Sequence, residues 1–256
     1  MQNQFYTLGG GHFWEDVFFY QKWRIQRNYI TKNCRLLDNW DIQRHEGTFE
    51  ECRSAFVKYI EVYELGRQKG HMVIMLHGLG DSKNIFKPLW RIVLQNEMLA
   101  AAINYPSTQK NIESHVRQLD FFLRHLLDVE KVSFVTYGLG GIILQNLMAL
   151  DSTWKEKLQI GRIVMVSPPN HGNRLLFKLS KYKLFDFILG PTAREMGQRR
   201  IESIPPFPKN TEIGIIRSQT PWMKLLCKIT KTETPLMGAQ EECRFSGAKE
   251  VIDLPN

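Results

Sequence analysis

Along most of the chain, short apolar runs alternate with stretches whose apolar positions recur every three or four residues. "HMVIML" (71–76), "LAAAINY" (99–105), "VSFVTY" (132–137) and "GRIVMVS" (161–167) are short, apolar and bounded by polar or glycine-containing segments. A strand buried on both faces reads this way. "TEIGIIRS" (211–218) and "EVIDL" (250–254) predict two more. Between them, "NIFKPLWRIVLQNE" has helical spacing through Ile85, Leu89, Ile92 and Val93, and "QKNIESHVRQLDFFLRHLLD" through Ile112, Val116, Leu119, Leu123, Leu126 and Leu127. A further apolar helix is expected from Gly140 to Leu150. Strands alternating with helices predict a mostly parallel central sheet with helices on both faces.

The first 70 residues follow another pattern. "FWEDVFFYQKWRIQRNYI" is dense in aromatics and partly alternating, with Trp23, Ile25 and Tyr29 assigned to one face. It predicts short strands or a hairpin, with "CRLLD" as another strand. Thr48 with Glu51 three residues later is a capping box, opening a helix that carries Phe56, Tyr59, Ile60 and Tyr63. The expected organisation is therefore an aromatic N-terminal extension, 1–70, packed on a main domain, 71–256. Within the main domain, 168–210 reads as a cap-like connection carrying Arg174, Lys178, Lys181, Lys183, Arg194, Arg199 and Arg200 among leucines and phenylalanines.

Composition adds little to this. The chain has 256 residues, with 34 Lys and Arg against 26 Asp and Glu, a net charge of +8. That balance is compatible with a weak attraction to anionic membrane surfaces. No compact Lys/Arg run or recognition motif points to nucleic acid. Cys34, Cys52, Cys227 and Cys243 are scattered, with no metal-ligand spacing, so the expectation is free thiols, no metal and no cofactor. Without a signal-peptide pattern or a run near the ~18 apolar residues of a membrane span, the expected location is cytoplasmic, membrane-peripheral if the cap meets lipid.

The chemistry is concentrated in two turns. "FVTYGLGG", Phe134–Gly141, has the strand–turn–helix layout of a nucleophile elbow, in which a serine sits at the tip. Here the tip is Gly138, which has no side chain to attack with. "MLHGLGDS", Met75–Ser82, ends the first strong strand as an oxyanion loop would, offering His77, Gly78 and Leu79. Tyr137 and the Leu139 N–H complete the candidate ligand-binding set, and Ser82 reads as a helix cap or a ligand contact. Because oxyanion donors are backbone groups, they survive the loss of a serine.

Together with "TLGGGHFW", "WRIQRN", "RLLD", "NYPST" and "VMVSPPNHG", these turns resemble small bacterial α/β-hydrolases of the lipase/esterase type over nearly the whole chain. The resemblance implies the α/β-hydrolase fold and an ancestral carboxylic-ester hydrolase. In that family Tyr137 and Gly138 would be His and Ser. It also implies an acid before the last strand, where Pro235 stands with Glu233 as a loose substitute, and a histidine after that strand. The last histidine here is His171, and the chain ends at Asn256, near where that histidine loop would begin. Ser167 and His171 are the weak replacement candidates for nucleophile and base. His115 and His125 read as surface or packing residues of their helix. Three readings follow: a catalytically degenerate relative that binds an acyl or lipid-like ligand or a protein, an active ester hydrolase with a non-standard nucleophile, or a truncated relative. Oligomeric state is not legible.

Overall fold

The computed structural model describes residues 13–168, 190–196, 206–217 and 248–253. Two sheets organise it. The first is antiparallel, in the order β1-β2-β3-β4, from β1 (Trp14–Tyr20), β2 (Trp23–Asn28), β3 (Cys34–Leu37) and β4 (Gln43–Gly47). The predicted hairpin is thus half of a four-stranded meander. Polar β4, "QRHEG", carried no hydrophobic alternation and was not foreseen. Trp23 and Ile25 share the face that packs with Phe18, Tyr20 and Phe56, as their spacing predicted. Tyr29 does not join them. It lies beyond the end of β2, stacks on Phe13 and donates from its hydroxyl to Gln109 Oε1 at 3.1 Å.

Helix α1 (Phe49–Val62) covers this face. Its capping box is present: Glu51 N donates to Thr48 Oγ1, and Thr48 N donates to Glu51 Oε2 at 2.7 Å. Cys34, on β3, and Cys52, on α1, are both free and buried in the core between them.

The second sheet is six-stranded and entirely parallel, in the order β10-β9-β8-β7-β5-β6. Its strands are β5 (Gly70–Leu76), β6 (Leu99–Ile103), β7 (Val129–Tyr137), β8 (Gln159–Val166), β9 (Ile213–Arg217) and β10 (Glu250–Asp253). Side chains alternate across it as the period of two requires. Met72, Ile74 and Leu76 face the main core under α3 (Ile112–Arg124) and α4 (Leu139–Ala149). Val73 and Met75 face the opposite side, where α2 (Lys87–Gln95) packs. Both faces are covered, which is why these strands read as continuous apolar runs.

Three details correct the sequence reading. A 3₁₀ turn, Lys83–Phe86, precedes α2 and has about three residues per turn, and of the expected helical face Leu89 and Val93 pack against the sheet. Ile85 and Ile92 point to solvent, while Phe86 and Val93 are buried. Helix α3 ends at Arg124 with His125 as its C-cap, and Leu126 and Leu127 pack from the following loop. A four-residue helix, α5 (Trp154–Lys157), buries Trp154 completely.

The cap-like stretch 168–210 is described only in part. A helical turn at 190–196 brings Ala193 and Met196 into the main core, and Phe207 joins them. Glu195 Oε2 accepts from Ile112 N at 3.0 Å at the start of α3, where a carboxylate is favoured by the helix dipole. Lys178, Lys181, Lys183 and His171 lie outside the described residues, as do Glu233 and Pro235. No helix among the described residues is long and apolar enough to cross a membrane.

Candidate functional site

The elbow forms where β7 hands over to α4. Tyr137 is the last residue of the strand, Leu139 the first of the helix, and Gly138 turns the chain between them with φ 49° and ψ −113°. Positive φ with ψ in this range is sparsely populated by any residue with a Cβ and costs such a residue about 1–3 kcal/mol. Glycine adopts it without that penalty. The turn is held by Gly138 N donating to Val166 O, and by Gly141 N donating to Gly138 O, both at 3.0 Å. Gly140 allows α4 to approach β5: a Cβ there would meet the Leu76 carbonyl oxygen and lie 2.8 Å from Leu76 Cβ. The Leu139 N–H opens the helix, where an amide has no intrahelical acceptor.

The other wall follows β5. His77 is fully buried, Gly78 buried, Leu79 half-buried and Gly80 exposed. Asp81 N donates to Gly78 O at 3.3 Å, closing a turn whose third residue, Gly80, has φ 77°. A Cβ on Gly78 would lie 2.8 Å from both Asp81 Oδ2 and Tyr137 Cδ1, so the Asp81 carboxyl and the Tyr137 ring both press on this glycine. Gly80 N donates to Ser107 Oγ at 2.9 Å, tying the loop to the segment after β6. Ser82 caps the 3₁₀ turn by accepting from Asn84 N.

His77 anchors the loop from below. Its Nδ1 is 2.8 Å from Gly78 O, and Tyr105 N donates to its Nε2 at 3.4 Å, which places the proton on Nδ1. Tyr105 stacks on the imidazole at 3.9 Å and donates its hydroxyl to His77 O. Burial pushes the His77 pKa down to about 4 and the Tyr105 phenol well above its usual value. His115 continues the stack, 5.2 Å from Tyr105, with Thr192 Oγ1 3.4 Å from its Nε2 and its Nδ1 without a partner among the described residues. Its pKa also lies well below the ordinary value, first because it is buried and then because of Lys110 and His77. The alternative of a surface role for His115 is thus replaced by one in packing. His125 is half-buried and stacked on Phe121.

The N-terminal sheet reaches this wall through a buried polar network. Asp16 accepts from Arg24 Nη1 at 2.7 Å, Gln26 Nε2 at 2.8 Å and Asn104 N at 2.7 Å, and its own N donates to Asn104 O at 2.9 Å. Gln118 Nε2 bridges Asp16 O and Asn104 O. Asn104 directly precedes Tyr105, so "WRIQRN" positions the residue that supports His77. Sequence reasoning noted "WRIQRN" and "NYPST" as landmarks but gave Asp16, Asp81, Tyr105 and Ser107 no role. Only the glycine spacing of "HGLGD" hinted at a tight turn whose last residue would face the site.

Of the two replacement candidates, Ser167 is placed and His171 is not described. Ser167 follows Val166, the last residue of β8 and the register partner of Tyr137, so it stands just past the neighbouring strand, level with Gly138. It is buried, has φ 46°, and its N donates to Ile216 O at 2.8 Å. Among the described residues, no group of three or more His, Cys, Asp or Glu could hold a metal ion.

No protein-family model matches the sequence, and no curated protein matches it either. Solved structures do. A metagenomic carboxyl esterase, MGS0156, superposes with a TM-score of 0.56 at 11% identity, over 74% of this chain and 64% of the esterase. The lipase BlEst2 of Bacillus licheniformis, in its propeptide form, matches with a TM-score of 0.49 at 18% identity, over 70% of this chain and 44% of the lipase. The chain spans less than two thirds of either protein. The parallel sheet, its two helical layers and the esterase superposition define the α/β-hydrolase fold.

Proposed function

We propose that this protein is a lipase/esterase-like member of the α/β-hydrolase group, of bacterial type, that has lost ester hydrolysis at its elbow and keeps a site for an acyl or lipid-like ligand. One observation carries the reading: the residue in the elbow geometry is Gly138. The turn that would hold a nucleophile is built, and the nucleophile is missing. The chemistry nearby points the same way. His77 commits its ring nitrogens to Gly78 O and Tyr105 N, so it is not a free base. The Asp81 carboxyl against Gly78 would, when ionised, oppose the negative charge that an oxyanion loop exists to stabilise. Loss of a triad nucleophile costs about 10⁶-fold in turnover, while binding and oxyanion donors alone retain about 10³–10⁴ over water. Backbone donors such as the Leu139 N–H can still hold a carbonyl or carboxylate.

The test is labelling with a fluorophosphonate serine probe together with p-nitrophenyl butyrate turnover. The expected result is no stoichiometric label and no turnover above a heat-denatured control. A second reading, an active ester hydrolase using Ser167, is favoured by that residue's level beside Gly138 and its positive φ. Stoichiometric labelling mapped to Ser167, abolished in Ser167→Ala, would establish it and sink the first.

A further inference from the structure

A groove of about 580 Å³ lies where the N-terminal sheet meets the edge of the parallel sheet. Leu99 and Ala100 open β6, and Gln68 and Lys69 precede β5, so the groove sits at the N-terminal ends of these strands, away from Gly138 at the C-terminal end of β7. Its walls are mainly aromatic and aliphatic: Trp23, Trp40, Tyr63, Trp90, Leu94 and Leu99. Trp40 is 67% exposed, an unusual exposure for an indole beside a cavity. The volume lies within the ~300–1,000 Å³ of small-molecule sites.

One end of the groove runs into a smaller pocket of about 160 Å³ that shares Lys22, Asn39 and Trp90 with it. This pocket gathers Lys22, Arg24, Lys83 and Lys87 around a single carboxylate, Asp41. Asp41 is 3.1 Å from Lys83 Nζ and 3.8 Å from Arg24 Nε. The other nearby acid, Asp38, is committed elsewhere, accepting from Trp40 N, Ile42 N and Arg44. Arg24 is paired with Asp16 at 2.7 Å and Lys83 with Asp41, so the positive charge in excess is that of Lys22 and Lys87. Burial, and next the Arg24 charge, lower the Lys83 pKa, as expected of an ammonium crowded by another cation. Arg24 Nε, on a side chain only 3% exposed, meets Asp41 at 3.8 Å without a hydrogen bond, and Trp90 Nε1 makes no hydrogen bond among the described residues.

We propose that the groove and its basic end form a binding site for a small anionic amphiphile, its apolar body along the indoles and its carboxylate or phosphate head among Lys22, Lys83 and Lys87. Charge complementarity selects an anion, and the aromatic trough selects one with an apolar body. The site stands apart from the elbow, so its failure would leave the reading of Gly138 untouched.

The test uses the full chain and follows tryptophan emission while titrating dodecanoate, dodecyl phosphate, dodecanol and inorganic phosphate, each below its aggregation threshold. At least one of the two anionic amphiphiles is expected to saturate, and the tighter of them identifies the head group. Removing a charged donor of this kind weakens binding about tenfold. Lys22→Asn is chosen because Lys22 has φ 72°, which asparagine tolerates, and Lys87→Glu because an acid suits the first turn of α2. Each is expected to weaken the anionic amphiphiles by that factor, and Trp40→Ala to weaken them also. The proposal fails if neither anionic amphiphile saturates. It fails equally if dodecanol binds as tightly as dodecanoate, if inorganic phosphate binds as tightly as dodecyl phosphate, or if the two charge variants bind like the parent.

Discussion

Asp16 is 1% exposed and its partner Arg24 3%, so Asp16→Ala leaves a buried guanidinium with only Asp41, 3.8 Å from its Nε, as counter-ion. It also removes the acceptor for Gln26 Nε2 and Asn104 N. Breaking a buried ion pair from one side costs about 3–5 kcal/mol, because the surviving charge stays desolvated. At about 2–4 °C per kcal/mol for a chain of this size, the melting temperature should fall by roughly 6–20 °C. The surviving charge, rather than the lost contact, dominates that cost, and a double-mutant cycle can show it. Arg24→Leu on top of Asp16→Ala should recover about 1–3 kcal/mol relative to the sum of the single substitutions. Urea unfolding of the four proteins supplies the free energies. A single-mutant cost below about 1 kcal/mol, or strict additivity, would refute the claim that this pair fastens the N-terminal sheet to Asn104.

Gly138→Ser should destabilise by about 1–3 kcal/mol in urea and restore no p-nitrophenyl butyrate turnover, because the serine would carry strain and lack a base. Gly140→Ala should cost about 1–3 kcal/mol by thermal melt, as its methyl would meet the Leu76 backbone. His77 is held neutral by burial, so between its unfolded pKa of 6.5 and its folded value of about 4 the unfolded chain binds more protons. Its share of stability, about 3 kcal/mol, should be present above pH 6.5 and lost as the pH falls to about 4, and His77→Gln should flatten the urea midpoint over that range. Burial raises the Cys34 and Cys52 thiols to about 11 and about 12, so neither should take up iodoacetamide at pH 8 until the protein unfolds, as read by peptide mapping. If 168–210 contacts anionic lipid, co-sedimentation with anionic vesicles should weaken with salt and with Lys178, Lys181 and Lys183 changed to Glu; equal binding to neutral vesicles would exclude it.

The parallel strands, α3, α4 and the elbow were legible because their signals are local. A strand covered on both faces needs an unbroken apolar run, and a helix start needs its cap within three residues, as at Thr48 and Glu51. Gly138 was equally plain, since a glycine at a serine's place is read from one letter. What the residues could not announce depends on distant partners. On α2, Leu89 and Val93 pack on the sheet as their spacing predicted, but the choice of Ile92 and Ile85 over Trp90 and Phe86 beside them depended on which side the sheet lies. Polar β4 became a strand only because β3 offered it hydrogen-bonding partners. Asp16 has no local signal of its role, which comes from Arg24, Gln26 and Asn104 closing around it from a neighbouring strand and from 88 residues away. The aromatic groove and its basic end draw on the turns of the N-terminal sheet, the end of α1 and the loop after it, α2 and the edge strand β6, segments with no shared periodicity. Local pattern is set by the short-range geometry of the backbone, and sites are set by where the sheets dock, which only the folded chain decides.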